Sequence, residues 1–211
     1  MAQGQATRAA AATLALIGWF ALGLQLYLMV RLNGSQNLPL SFTLTNFFSF
    51  FTILGNLLVA IVCTFAALTL DKPSPNVQAA AATYIVIVGA GYSLLLRHIW
   101  NPQGTQKLAD ELLHDVVPVL YVVFWLAFCR KRKSLAWGRA FQWLLFPGIY
   151  FFCAMTRGSV TGWYPYPFLD PAQVSKASIF IVMIGFLAAF ILVGFVVIAL
   201  TRRNRADTLQ Q

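Results

Sequence analysis

The sequence predicts an all-α polytopic membrane protein: six transmembrane helices in one bundle, a single domain over residues 1–211, with both termini cytoplasmic. Three observations predict it. Of the 211 residues, 59% are hydrophobic and only 10% are charged, against about a quarter charged in a soluble domain. Charge-free stretches recur at lengths close to the ~20 residues that cross ~30 Å of hydrocarbon. Lys and Arg fall unevenly on the two sides of the spans that result.

The charge-free stretches cover residues 9–30, 32–70, 73–96, 116–129, 140–156 and 177–201. The first is too long for the apolar core of a signal peptide and has no close small-residue cleavage site, so it reads as an uncleaved first span. The second holds the turn Leu-Asn-Gly-Ser-Gln-Asn-Leu-Pro at 32–39, so it contains one loop and one helix. The expected helices are 9–30, 42–68, 77–97, 107–129, 136–156 and 174–201. No internal repeat supports a transporter built from two related halves.

Six spans put the N-terminus, loops two and four and the C-terminus on one side. That side carries Arg8, Lys72, Arg130, Lys131, Arg132, Lys133, Arg139, Arg202, Arg203 and Arg205. The other side carries Arg31, Arg97, Lys107, Arg157 and Lys176. The richer side is the cytoplasmic one. Trp100, Trp163, Tyr164 and Tyr166 then form an outer interfacial belt.

The net charge of +9 does not point to nucleic acid, because the aromatic residues lie in apolar runs and not among the basic ones. The run CRKRK at 129–133 is a topology signal that touches anionic headgroups. Cys63, Cys129 and Cys153 are far apart, without metal-binding spacing, and read as packing residues. Phosphate-binding glycine loops, zinc-protease helices and GxSxG elbows are absent from the sequence. No cofactor and no metal are expected; a mononuclear site from His98, His114 and a carboxylate is the remaining metal rival.

Helix four is too short in apolar residues. Val116 to Cys129 extends only about 21 Å at 1.5 Å per residue. To span, it must draw in Asp110, Glu111, His114 and Asp115, and ionisable groups at that depth normally face a bundle interior or a cavity. Asp110 and His114 are i,i+4, Glu111 and His114 i,i+3, and Pro118 lies one turn further in, so all four can share a face. Pro118 frees the carbonyl of His114. The plainer alternative is that Asp110 and Glu111 only cap the first helical turn.

Helix two carries Thr45, Ser49, Thr52 and Asn56 at i, i+4, i+7 and i+11, one helical stripe. These groups can serve merely as helix glue or bond back to their own carbonyls. Depth favours more than that. Thr52 lies about 15 Å below an outer end at Phe42, and His114 about 10 Å below the start of helix four. A hydroxyl becomes a nucleophile when a neighbouring base takes its proton, and histidine is the usual base. Asp110, Glu111 or Asp115 would orient the imidazole; Asn56 or Ser49 would steady an oxyanion or tie helices together. Arg97 reads as an interfacial anchor or an anion-binding group. Arg157 begins the proline- and aromatic-rich loop five, RGSVTGWYPYPFLDP, and would pair with Asp170 or bind a substrate carboxylate. The loop itself reads as a stiff outer lid.

The segments FSFFTILGNLLVA and ADELLHDVVPVLYVVFWL, with GWYPYPFLD in loop five, resemble a bacterial branch of the androgen-induced family of six-span membrane proteins, which includes the androgen-dependent regulator of tissue-factor-pathway inhibitor. The likeness covers about a fifth of the chain. It implies an intramembrane threonine hydrolase of fatty acid esters of hydroxy fatty acids, in a bacterial inner membrane, with Thr52 as nucleophile and His114 as its partner. In the animal proteins an Asn follows the Thr by three residues. Asn56 follows Thr52 by four, and Thr43 with Asn46 has the animal spacing; depth and the bacterial-type pattern select Thr52. Lipid or fatty acyl esters and membrane lipids are the expected partners. The rivals are a small proton-coupled carrier using the outer carboxylate–His cluster and a non-catalytic lipid-binding protein.

Overall fold

The computed structural model describes residues 2–68, 73–130 and 133–202. Of the basic residues used above to orient the chain, Lys72, Lys131, Arg132, Arg203 and Arg205 lie outside the described residues. The described residues are 82% helical, with no strand among them. Five helices are long and apolar enough to cross a membrane: Gly4–Ser35, Phe51–Leu68, Pro75–Leu96, Gly104–Cys129 and Lys176–Arg202.

Helix α1 (Ala2–Ser35) exceeds the expected 9–30 at both ends and packs along α3 (Phe51–Leu68). Helix α4 (Pro75–Gly91) starts two residues before the expected 77. Ser74 Oγ accepts the Val77 N–H at 3.2 Å, and Pro75 occupies the first turn, where a missing N–H costs nothing. The helix runs on as a π-helical turn, Tyr92–Leu96.

The second expected helix, 42–68, is not continuous. It divides into α2 (Leu40–Phe47) and α3, with a break at residues 48–50. At the break the backbone tightens: Ser49 N–H bonds to Asn46 O and Phe50 N–H to Phe47 O. The Ser49 carbonyl, which a continuous helix would give to Ile53, instead accepts from Tyr150 Oη at 3.0 Å. The break also ends the single polar stripe. Thr45 is exposed and bonds back to Ser41 O, while Thr43 and Asn46 are the buried polar residues of α2.

The fourth expected helix begins earlier than Lys107, at Gly104. It runs as α5 (Gly104–Glu111), a π-helical turn Leu112–Val116, α6 (Val117–Phe124) and a second π-helical turn Trp125–Cys129. Asp110 and Glu111 therefore lie beyond the first turn, and the capping alternative does not hold.

The fifth expected helix, 136–156, is broken into α7 (Arg139–Trp143) and α8 (Leu145–Thr161). Pro147 has no N–H for the carbonyl four residues back. That carbonyl, Trp143 O, accepts instead from Tyr84 Oη at 2.8 Å. Helix α9 (Lys176–Arg202) closes the order. An aromatic cluster of Phe51, Tyr84, Phe146, Tyr150 and Phe190 joins α3, α4, α8 and α9 beneath the α2–α3 break. Many large apolar side chains stay exposed, among them Leu16, Phe152 and Phe180. An apolar exterior of this extent suits lipid, where no hydrophobic force drives those faces together.

Candidate active site

The break between α2 and α3 sets Thr52 in the first turn of a new helix. Backbone N–H groups there lack the usual acceptor four residues back. The Thr52 N–H points to Tyr166 Oη at 3.4 Å, a long contact. The Thr52 side chain is buried, and its Oγ1 lies 3.3 Å from His114 Nε2.

His114 sits in the π-helical turn that precedes Pro118. Such turns insert one residue per helix and collect at functional sites. The carbonyl that Pro118 frees faces Gly89 of α4: a Cβ built on Gly89 would stand 3.1 Å from His114 O and 3.5 Å from Pro118 Cβ. The glycine lets α4 close on the turn that carries the imidazole.

The other ring nitrogen is held by one residue twice. His114 Nδ1 is 2.9 Å from the Asp110 backbone carbonyl and 3.2 Å from Asp110 Oδ1. Both neighbours only accept, so the proton sits on Nδ1, and Nε2 presents its lone pair to the Thr52 hydroxyl. Asp110 is itself buried, and its second oxygen accepts from Tyr92 Oη. The Tyr92 ring lies flat on the imidazole, centroids 4.0 Å apart at 16°, and the Arg97 guanidinium lies over the Tyr92 ring, 4.8 Å from its centroid. Thr52, His114, Asp110 and Tyr92 thus form one stacked and hydrogen-bonded unit.

The remaining sequence candidates fall elsewhere. Glu111 is exposed and pairs with Lys107 at 3.7 Å; it does not orient the histidine. Asp115 pairs with Arg97 at 2.5 Å, so Arg97 is occupied by a carboxylate of this chain and is not a free anion-binding group. Asn56 is fully buried, and its amide N–H groups go to Thr52 O at 2.8 Å and Leu113 O at 3.0 Å. Both donors are used, so Asn56 ties α3 to the His114 turn and cannot steady an oxyanion; its Oδ1 has no partner among the described residues. Ser49 Oγ donates to Thr45 O and accepts from Arg157 at 2.6 Å. Arg157 also donates to Asn46 Oδ1 and lies 4.3 Å over Trp163. It does not pair with Asp170, which accepts from Ala172 N–H and Gln173 Nε2. Thr43 Oγ1 accepts from Asn33 at 3.0 Å. Among the described residues no group of three His, Cys, Asp or Glu could hold a metal ion.

Loop five folds over this unit. Gly158 permits it: a Cβ there would meet the Tyr164 ring at 2.0 Å, so the loop can turn back against α8 only with glycine at that position. Tyr166 then reaches Thr52, with Phe50 against its ring at 5.8 Å and Phe168 stacked at 5.0 Å. Pro165, Tyr166 and Pro167 form one wall of a cavity of about 310 Å³, and Thr52, Asp110 and His114 line its base. A second, apolar cavity of about 40 Å³ adjoins Thr52, Tyr92, Leu96 and Tyr166 from the side of α4, α8 and α9.

Sequence reasoning did not assign Tyr92 or Tyr166. Tyr92 had a usable signal, a lone phenol at the outer end of helix three, level with the charged turn of helix four. Tyr166 was placed in the lid, but its reach to Thr52 depends on the packing at Gly158 and on the α2–α3 break. No family model matches the chain, and no curated protein or solved structure matches it either.

Proposed function

We propose that the protein is an intramembrane hydrolase of lipid-type carboxylic esters, with Thr52 as nucleophile and His114 as general base and acid. Its frame is a six-span bundle with both termini cytoplasmic, in which the broken α7–α8 pair supplies the fifth span. The reading is carried by one observation: a Thr–His–Asp relay, with Thr52 and Asp110 buried and His114 partly so, whose imidazole is held in the tautomer that accepts from the hydroxyl. The likeness to the androgen-induced family points to the same two residues; the geometry carries the argument without it.

The chemistry follows the general logic of triads. Thr52 Oγ1 attacks the ester carbonyl carbon as its proton passes to His114 Nε2. Asp110 stabilises the imidazolium that forms. The tetrahedral oxyanion sits at the start of α3, where the Thr52 N–H and the Tyr166 hydroxyl converge. Burial pushes the Tyr166 phenol up from its ordinary value, which keeps it protonated as a donor. The 3.4 Å contact between these two groups is a weak one, so both donors can turn to a shared substrate oxygen beside them. Donors placed where charge develops contribute more than any other single term in acyl transfer. The carbon–oxygen bond to the alcohol then breaks, and His114 returns its proton to the leaving oxygen. Water, activated by the same nitrogen, releases the acid and restores Thr52. The net reaction is ester plus water to acid plus alcohol.

The carrier alternative needs carboxylates pooled along a proton path. Here Asp110, Glu111 and Asp115 are each paired with a different neighbour. The test is hydrolysis of a fluorogenic ester series by the purified full-length chain, with Thr52→Ala and His114→Ala alongside. Both variants are expected to lose at least about 10³-fold in kcat. Full activity in either one removes that residue from the mechanism.

A further inference from the structure

The two cavities beside Thr52 are unequal, and only one of them reaches the base. Thr52, Tyr92, Leu96 and Tyr166 line both, forming the partition between them. His114 and Asp110 line the wide cavity and not the narrow one. In ester cleavage the leaving alcohol oxygen must take its proton from His114 Nε2, so the alcohol lies on that side. The acyl group, bonded to Thr52 Oγ1 and opposite the leaving oxygen, then points into the narrow cavity. Resting on the hydrolase reading, we infer that this site selects esters of short acyl groups on large, amphipathic alcohols.

The sizes set the range. A water-sized group needs about 10–15 Å³ of cavity volume measured in this way. The narrow cavity, about 40 Å³, takes roughly three such groups, an acyl chain of about two to four carbons. Its walls are apolar: Phe51, Ile87, Val88, Phe186 and Phe190. Gly91 forms part of the wall beside Phe186, and a Cβ there would stand 3.2 Å from Phe186 Cε1, close enough to press on that ring. The wide cavity, about 310 Å³, has an apolar body and one polar end. There Gln106 Nε2 donates to Gln25 Oε1 at 2.9 Å, and the paired amides offer a further donor and acceptor to a polar group on the alcohol.

The chemical balance is that of the proposed hydrolysis. Thr52 gains the acyl group and loses it to water; the alcohol leaves with the proton that His114 took from Thr52.

The experiment is a series of 4-methylumbelliferyl esters, acetyl, butyryl, octanoyl and palmitoyl, hydrolysed by the full-length protein in one detergent. Wild-type kcat/KM is expected to be highest at acetyl or butyryl and at least about tenfold lower at octanoyl, the scale on which a hydrophobic pocket sorts methylenes. Phe186→Ala deepens the cavity and is expected to raise the octanoyl-to-butyryl ratio by about tenfold. Gly91→Ala makes it shallower and is expected to shift the optimum from butyryl to acetyl. A flat profile that still requires Thr52, or a ratio unmoved by both variants, overturns the acyl assignment and leaves the hydrolase reading standing. Absence of Thr52-dependent turnover across the series overturns both.

Discussion

One residue holds His114 Nδ1 through two different oxygens, and this decides what its side chain is worth. The Asp110 backbone carbonyl, at 2.9 Å, keeps the tautomer even when the carboxylate is lost. Asp110→Asn is therefore expected to slow turnover by about 10²-fold, the low end of what general base catalysis supplies, and not to abolish it. The measurement is kcat under single-substrate saturation; a loss as deep as that of His114→Ala would mean that the carboxylate alone sets the ring. Tyr166→Phe removes one oxyanion donor and leaves the cavity wall in place. It is expected to lower kcat by about 10²–10³-fold, with KM changed by less than about threefold. At this scale His114 was legible in the sequence because a span short of apolar residues must submerge its charged turn, and Thr52 because it lies on a polar stripe at a similar depth. Tyr92 was not, since nothing in the spacing of one helix reports a ring stacked on it from another. Between the two roles open to Asn56, an oxyanion donor or a tie between helices, the choice falls to the tie, because the carbonyls that absorb both of its donors belong to backbone no side-chain pattern reveals.

At the scale of elements, the site depends on three departures from regular helix. The α2–α3 break gives Thr52 a helix start, the π-helical turn carries His114, and loop five returns over both. Helix existence was legible from charge-free length, but the α2–α3 break was not. The Ser49 carbonyl bonded to Tyr150 and the Trp143 carbonyl bonded to Tyr84 are tertiary bonds that replace helical ones. Pro147 signals the second break and Pro118 the irregular turn; no residue between Phe47 and Phe51 is a helix breaker of that kind. Loop placement has its own test. Gly158→Val would force Tyr164 off α8, at a cost of about 1–3 kcal/mol for overpacking. It is expected to lower thermal stability in detergent and, by withdrawing Tyr166, to cost more activity than Tyr166→Phe. Unchanged activity would detach loop five from catalysis.

For the whole molecule, the five long apolar helices and the broken α7–α8 pair make an even number of crossings under the proposed topology. The Thr52–His114 unit then lies in the outer half of the membrane, within lateral reach of the lipid-type esters proposed as substrates. Membrane-impermeant maleimide tests this in intact cells, with the exposed Cys153 replaced by alanine. Ala172→Cys in loop five is expected to label from outside, and Gly4→Cys only after permeabilisation. The class of the molecule was plain from composition alone, because so low a charge content leaves few other folds. The two unequal cavities were not, since their volumes arise from rings contributed by four separate helices and a loop.

The most direct measurement is peptide mass spectrometry of the full-length protein after reaction with a fluorophosphonate that mimics the tetrahedral intermediate. The expected product is a phosphonyl adduct on Thr52, absent in Thr52→Ala and strongly slowed in His114→Ala. An adduct on another residue, or labelling that survives the loss of Thr52, would contradict it.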